Sequence, residues 1–153
     1  MKKTYISYAG LAGALALLVV SASAYAAEFR HGKEYNLATQ EAIADNLYAA
    51  GGALTLEGSV DGDLTAAGGN ILISGAVGKS ILAAGGNLTV TGNANESVRL
   101  LGGNVTISGS TGNDLVVGGG NIEVTSAARV GNDAVFAGGH ILMNGAVGGN
   151  VKI

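Results

Sequence analysis

The feature that most constrains this chain is a glycine pair that returns at a nearly fixed interval. Gly-Gly stands at 51/52, 68/69, 85/86, 102/103, 119/120 and 138/139, spaced by four intervals of 17 residues and one of 19. A unit of this length cannot bury its own apolar face, so it must stack on its neighbours. The two extra residues of the long interval fall in Ser126-Ala127-Ala128-Arg129, a local loop insertion.

Aligning the repeats on the glycine pair produces vertical columns. Four residues before the pair stand Leu47, Leu64, Ile81, Val98, Leu115 and Ala134. Two before it stand Ala49, Ala66, Ala83, Leu100, Val117 and Phe136. Beyond the pair come Leu54, Ile71, Leu88, Val105, Ile122 and Ile141, then Leu56, Ile73, Val90, Ile107, Val124 and Met143. A fifth column is Val60, Val77, Ala94, Thr111, Val130 and Val147. Within a repeat the apolar period is two, which is a strand signal. Each repeat therefore predicts two clear short strands and a third weaker one. Glycine marks the corners, where a side chain would obstruct the bend. A second glycine column, Gly58, Gly75, Gly92, Gly109 and Gly145, has Ser126 as its departure. Helix is disfavoured, because each interior glycine costs about 1 kcal/mol and the apolar spacing is wrong.

Just after the glycine pair lies a polar column, Asn70, Asn87, Asn104 and Asn121, with Ala53 and His140 at its ends. Asn tolerates left-handed backbone and stacks as an amide ladder, so this column predicts a structural corner ladder.

Composition limits what such a stack can do. Glycine supplies 27 of 153 residues without a strict every-third period, which argues against collagen. Apolar residues at 48% supply enough core to argue against disorder. There is no cysteine, which excludes disulfides and thiolate metal sites. Charged residues make up 12%, and without a Lys/Arg run there is no nucleic-acid footprint.

Residues 1–26 read as a signal peptide. Lys2 and Lys3 precede an apolar run from Ala9 to Val20, and Ala24-Tyr25-Ala26 fits cleavage before Ala27. The run is shorter than the roughly 20 residues of a membrane span. The expected location is the periplasm, the cell envelope or the exterior, with no integral span after cleavage. An uncleaved tether to the inner membrane is the alternative. Residues 27–44 read as an N-terminal cap segment in which Tyr35, Leu37 and Ile43 form a short first coil. The expected fold over 45–153 is all-β, a single-stranded parallel solenoid of about six coils of 17 residues preceded by a signal-peptide helix. Val151, Lys152 and Ile153 begin a further coil and mark a possible self-association end.

The series Gly62-Asp63-Leu64-Thr65-Ala66-Ala67-Gly68-Gly69-Asn70-Ile71-Leu72-Ile73-Ser74-Gly75-Ala76-Val77-Gly78 resembles the bactofilins, the polymer-forming cytoskeletal-type proteins. The opening Asp45-Asn46-Leu47-Tyr48-Ala49-Ala50-Gly51-Gly52 fits the same pattern. The likeness covers about residues 40 to 153, and a single repeat alone would be weak. It implies a right-handed β-helix that assembles end to end into filaments without nucleotide. Two departures stand out: bactofilins are typically cytoplasmic, and they often carry polar or proline-rich tails. Here a signal peptide opens the chain and proline is absent, which favours an exported variant.

Catalytic chemistry finds little to work with. Asp61 and Asp63 are the closest acid pair, but one repeat later their places hold Gly78 and Ser80. A paired-carboxylate hydrolase needs both acids across a substrate. Asn after Gly-Gly is a weak calcium ligand compared with the Asp of calcium-binding solenoids. His140 is solitary, without the acid partner that would make it a base. Val77-Gly78-Lys79-Ser80 lacks the earlier glycine of a phosphate-binding loop. The expectation is a non-enzymatic structural protein without cofactor, whose partner is itself and, beyond that, wall or envelope components. The alternative is a module binding glycan or ice through outward Thr55, Thr89, Thr91, Thr106, Ser108 and Thr125, a ladder interrupted by Leu72 and Glu123. A further outward row, Tyr48, Thr65, Leu82, Arg99, Val116 and Val135, suggests a lateral contact or membrane-adjacent surface.

Overall fold

The structure, a computed structural model, describes residues 27–153. The expected signal peptide, with its expected helix and cleavage residues Ala24 and Ala26, lies outside the described residues. The rest is an all-β, right-handed-type parallel solenoid of about seven turns, one more than the six expected.

Ten-residue strands form one wall and the bend beside it: β1 (Glu28–Leu37), β3 (Leu47–Leu56), β5 (Leu64–Ile73), β6 (Ile81–Val90), β7 (Val98–Ile107), β9 (Leu115–Val124) and β11 (Ala134–Met143). Two-residue strands form the remaining wall: β2 (Ala42–Ile43), β4 (Ser59–Val60), β8 (Ser110–Thr111), β10 (Arg129–Val130) and β12 (Ala146–Val147). A final short strand, β13 (Val151–Lys152), pairs with β11. The seven long strands and β13 make one eight-stranded parallel sheet in the order β1-β3-β5-β6-β7-β9-β11-β13. Isolated bridges from Val60 to Val77, Val77 to Ala94 and Ala94 to Thr111 carry the short wall past the coils that lack a named strand.

The two short strands expected on either side of Gly-Gly are one continuous strand with a bend inside it. In β3 the buried residues are Leu47, Ala49, Leu54 and Leu56. Inward positions are odd before the glycine pair and even after it. Strict alternation over an odd-numbered coil would turn every column inside out in the next coil. One phase slip per coil removes that conflict, and it falls at the pair. The ladder joins Gly51 to Gly68 and resumes at Ala53 to Asn70, passing over Gly52 and Gly69.

No described residue has positive φ, so the Asn column does not use the left-handed backbone that Asn tolerates. In the 17-residue coils glycine is required at the corner for space. A Cβ on Gly75 would run into the carbonyl oxygen of Gly58 in the coil below. Ala128, not Ser126, occupies this glycine column in the long coil, because Arg129 pairs with both Ser110 and Ala146. The insertion closes as a turn in which Ala128 N–H donates to the Thr125 carbonyl at 3.1 Å.

The segment expected as a cap is a full coil of the same sheet. Strand β1 pairs with β3 from Glu28–Leu47 to Leu37–Leu56, an offset of 19 residues. Its two extra residues form the same turn at the same corner, Glu41 N–H to the Ala38 carbonyl at 2.9 Å. Tyr35, Leu37 and Ile43 lie in it as expected of a short first coil, but the glycine-pair column does not reach it, because Lys33 stands where the second glycine belongs.

The core is one narrow column of aliphatic side chains from Leu37 to Phe136. Leu47, Ile81, Leu115 and Ala134 are fully buried. Burying one such Leu or Ile contributes roughly 1.5–3 kcal/mol. Phe136 enters the alanine column opposite the reduced Ala134, so volume is exchanged between neighbouring inward positions and both stay buried. Thr111 is the single buried polar residue among those described.

Candidate functional site: ladders, faces and ends

The Asn column is a hydrogen-bonded ladder on the outside of the bend. Asn87 Nδ2 donates to Asn70 Oδ1 at 2.7 Å, Asn104 to Asn87 at 2.8 Å, and Asn121 to Asn104 at 2.8 Å. Parallel in-register pairing places identical amides one strand spacing apart, so each can donate downward and accept from above. The sheet register carries the column on to His140, which stands over Asn121. Asn104, Thr106, Asn121, Glu123, His140 and Leu142 line a shallow groove on this face.

A second polar ladder lies at the start of the long strands. The Asp63 N–H donates to Asn46 Oδ1 at 2.7 Å, and the Ser80 N–H to Asp63 Oδ1 at 3.0 Å. Farther up, the Asp133 N–H donates to Asp114 Oδ1 at 3.3 Å, and the Asn150 N–H to Asp133 Oδ1 at 2.7 Å. These side chains satisfy backbone donors at a corner where the sheet ladder is interrupted. Asp63 is thereby committed to Ser80 rather than to Asp61. The signal was present as the column Asn46, Asp63, Asp114, Asp133 and Asn150, but Ser80 and Ser97 break it.

The outward Thr column is discontinuous in space as well as in sequence. Leu72 stands between Thr55 and Thr89, and Glu123 stands above Thr106. One hydroxyl pair bonds on this side, Thr125 Oγ1 to Ser108 Oγ at 3.1 Å.

The ends differ in chemistry. At the first coil, β1 carries Glu28, Arg30, Lys33 and Glu34, with Arg30 paired to Glu28. Tyr35 lies partly buried beside them. Burial raises its phenol above the usual range, Glu28 and Glu41 add to the rise, and Arg30 opposes it. At the other end β11 has no acid, lysine or arginine, and the edge strand β13 carries Lys152. The predicted end residues lie in the last strand: Val151 pairs with Ala134 and Lys152 with Val135. Val151 is 46% exposed and Ile153 80%. No helix among the described residues is long and apolar enough to cross a membrane.

No protein-family model, curated protein or solved structure matches the chain. The class defined by the fold is therefore the finding: an all-β parallel solenoid with coils of about 17 residues.

Proposed function

We propose that the protein is a non-catalytic structural solenoid of the cell envelope that associates with itself end to end. The observation that carries this reading is the uniform coil register. Long strands from β1 to β11 pair in parallel along the same columns, so any coil's upper edge matches any other coil's lower edge. Open strand edges template the addition of another chain, and a head-to-tail contact of this kind does not close. Export rests on the pattern of residues 1–26. The resemblance to polymer-forming proteins supports the same reading.

Negative-stain electron microscopy of the purified protein tests it directly. Filaments or linear oligomers are expected, and V151D/I153D should shorten them. A species that stays monomeric at high concentration would end the proposal.

A further inference from the structure

One outer face is mostly apolar from the first coil to the last, interrupted by Thr65 and Arg99. Nine large hydrophobic side chains are exposed among the described residues, and six of them share this face: Phe29, Tyr48, Leu82, Leu101, Val116 and Val135. They project from the half of each long strand that precedes the glycine pair. Register sets them in two adjacent outward columns, one starting at Phe29 and Tyr48, the other running from His31 through Ala50, Ala67, Ala84, Leu101 and Gly118 to Ala137. Leu101 is 65% exposed and Leu82 52%. The Phe29 and Tyr48 rings stack with centroids 4.9 Å apart. These residues do not hold the coil together, since the core lies on the opposite side of the same strands.

We infer that this face is a lateral docking surface for the same face of a second copy of the chain. Its relief is largely self-complementary: a ridge of Tyr48, Leu82, Val116 and Val135, broken by Thr65 and Arg99, runs beside a furrow of alanines and Gly118 from which Leu101 projects, and flat sheet faces pack at about 10 Å. Arg99 is the one Asp, Glu, Lys or Arg in the face between β1 and β11, and its long stem lets the head reach the rim. A membrane is the poorer occupant. Eight basic residues, less Lys2 and Lys3, against eleven acids leave the described chain at −5, which an anionic lipid surface repels.

Area sets how strong the contact can be. Six strand spacings by four residue steps give a face of roughly 30 by 13 Å, about 400 Å² per copy. Two copies then bury about 800 Å², short of the roughly 1,200 Å² that marks a stable specific pair. Single stacks therefore pair weakly. Along a polymer the same face repeats, and five copies on each side would bury about 4,000 Å². This cumulative part rests on the end-to-end reading; pairing of single stacks does not.

The test compares four forms of the full chain by sedimentation equilibrium and electron microscopy, with circular dichroism as the check on folding. Wild type is expected to dimerise weakly and to form paired filaments. L82D/L101D changes only exposed positions; it should fold normally, weaken dimerisation at least about tenfold and give single-width filaments. L142D, on the Asn face, should behave as wild type. R99L should tighten pairing. Single-width wild-type filaments, unchanged pairing in L82D/L101D, or no dimer at the highest soluble concentration would overturn the inference. Binding of wild type to neutral lipid vesicles without self-pairing would overturn it too. If V151D/I153D leaves filament length unchanged, the end-to-end reading fails while weak face-to-face dimers still stand.

Discussion

The two halves of each long strand share one backbone and one core, yet they show opposite chemistry to solvent. Before the glycine pair the outward residues are mostly Ala, Leu, Val and Tyr, with Thr65 and Arg99 as the polar exceptions; after it they are mostly Asn and Thr, with Leu72 and Leu142 as the large apolar exceptions. Inward, both halves are aliphatic and buried. Stacking demands only the inward pattern. The outward difference is therefore free of the fold, and it is where an interaction surface can be written. The Asn half satisfies itself through amide bonds between coils, whereas the apolar half leaves surface unsatisfied until something covers it.

Several substitutions would break or sharpen this contrast. The largest effect is expected at the corner that neither half tolerates. Gly75→Ala places a methyl against the Gly58 carbonyl and should cost on the order of 3 kcal/mol or more in urea unfolding. Gly139→Ala, whose methyl would stand 3.2 Å from the Gly120 oxygen, should cost far less. Next come the inward residues. Leu64→Ala before the glycine pair and Leu88→Ala after it should each lose about 2–5 kcal/mol. A large difference between them would show that the two halves do not share one core. On the outside, Asn104→Ala removes two ladder bonds and should cost about 1–2 kcal/mol. Leu82→Asn on the apolar half should change stability by no more than about 0.5 kcal/mol.

The smallest effect is electrostatic and local to the first coil. The folded-state pKa of Tyr35 is raised, so the folded chain favours the neutral phenol. Its stabilising contribution is fully present below the unfolded value of about 10 and is lost as pH rises through the folded value. Tyr35→Phe should flatten that alkaline loss, read by thermal melts across the pH range.

Much of this architecture was legible because a stack writes itself into sequence as columns. The inward residues, the corner glycines and the Asn ladder each repeat at the coil interval, and burial or in-register contact makes repetition necessary. The first coil was only partly legible: Lys33 replaces a corner glycine and a two-residue turn shifts the register, so Tyr35, Leu37 and Ile43 were visible without the sheet that joins them. The strand-start ladder was hidden for another reason. Its acceptors bond backbone N–H groups rather than one another, so Ser80 can receive the bond without being Asp.

By itself the sequence determined the all-β stack, the coil length and the identity of the buried columns, since only stacking can bury a 17-residue apolar pattern. It also placed the amide ladder, because in-register parallel strands align identical residues. Tertiary structure alone decided that each glycine pair is a bend inside one continuous strand, and that Ala128 takes the corner position. It alone assigned Asp63 to the backbone of the coil above and set Leu101 beside Leu82's column on one mostly apolar face. Those outcomes depend on which residues meet between coils, and a linear period records spacing along the chain but not the distance across it.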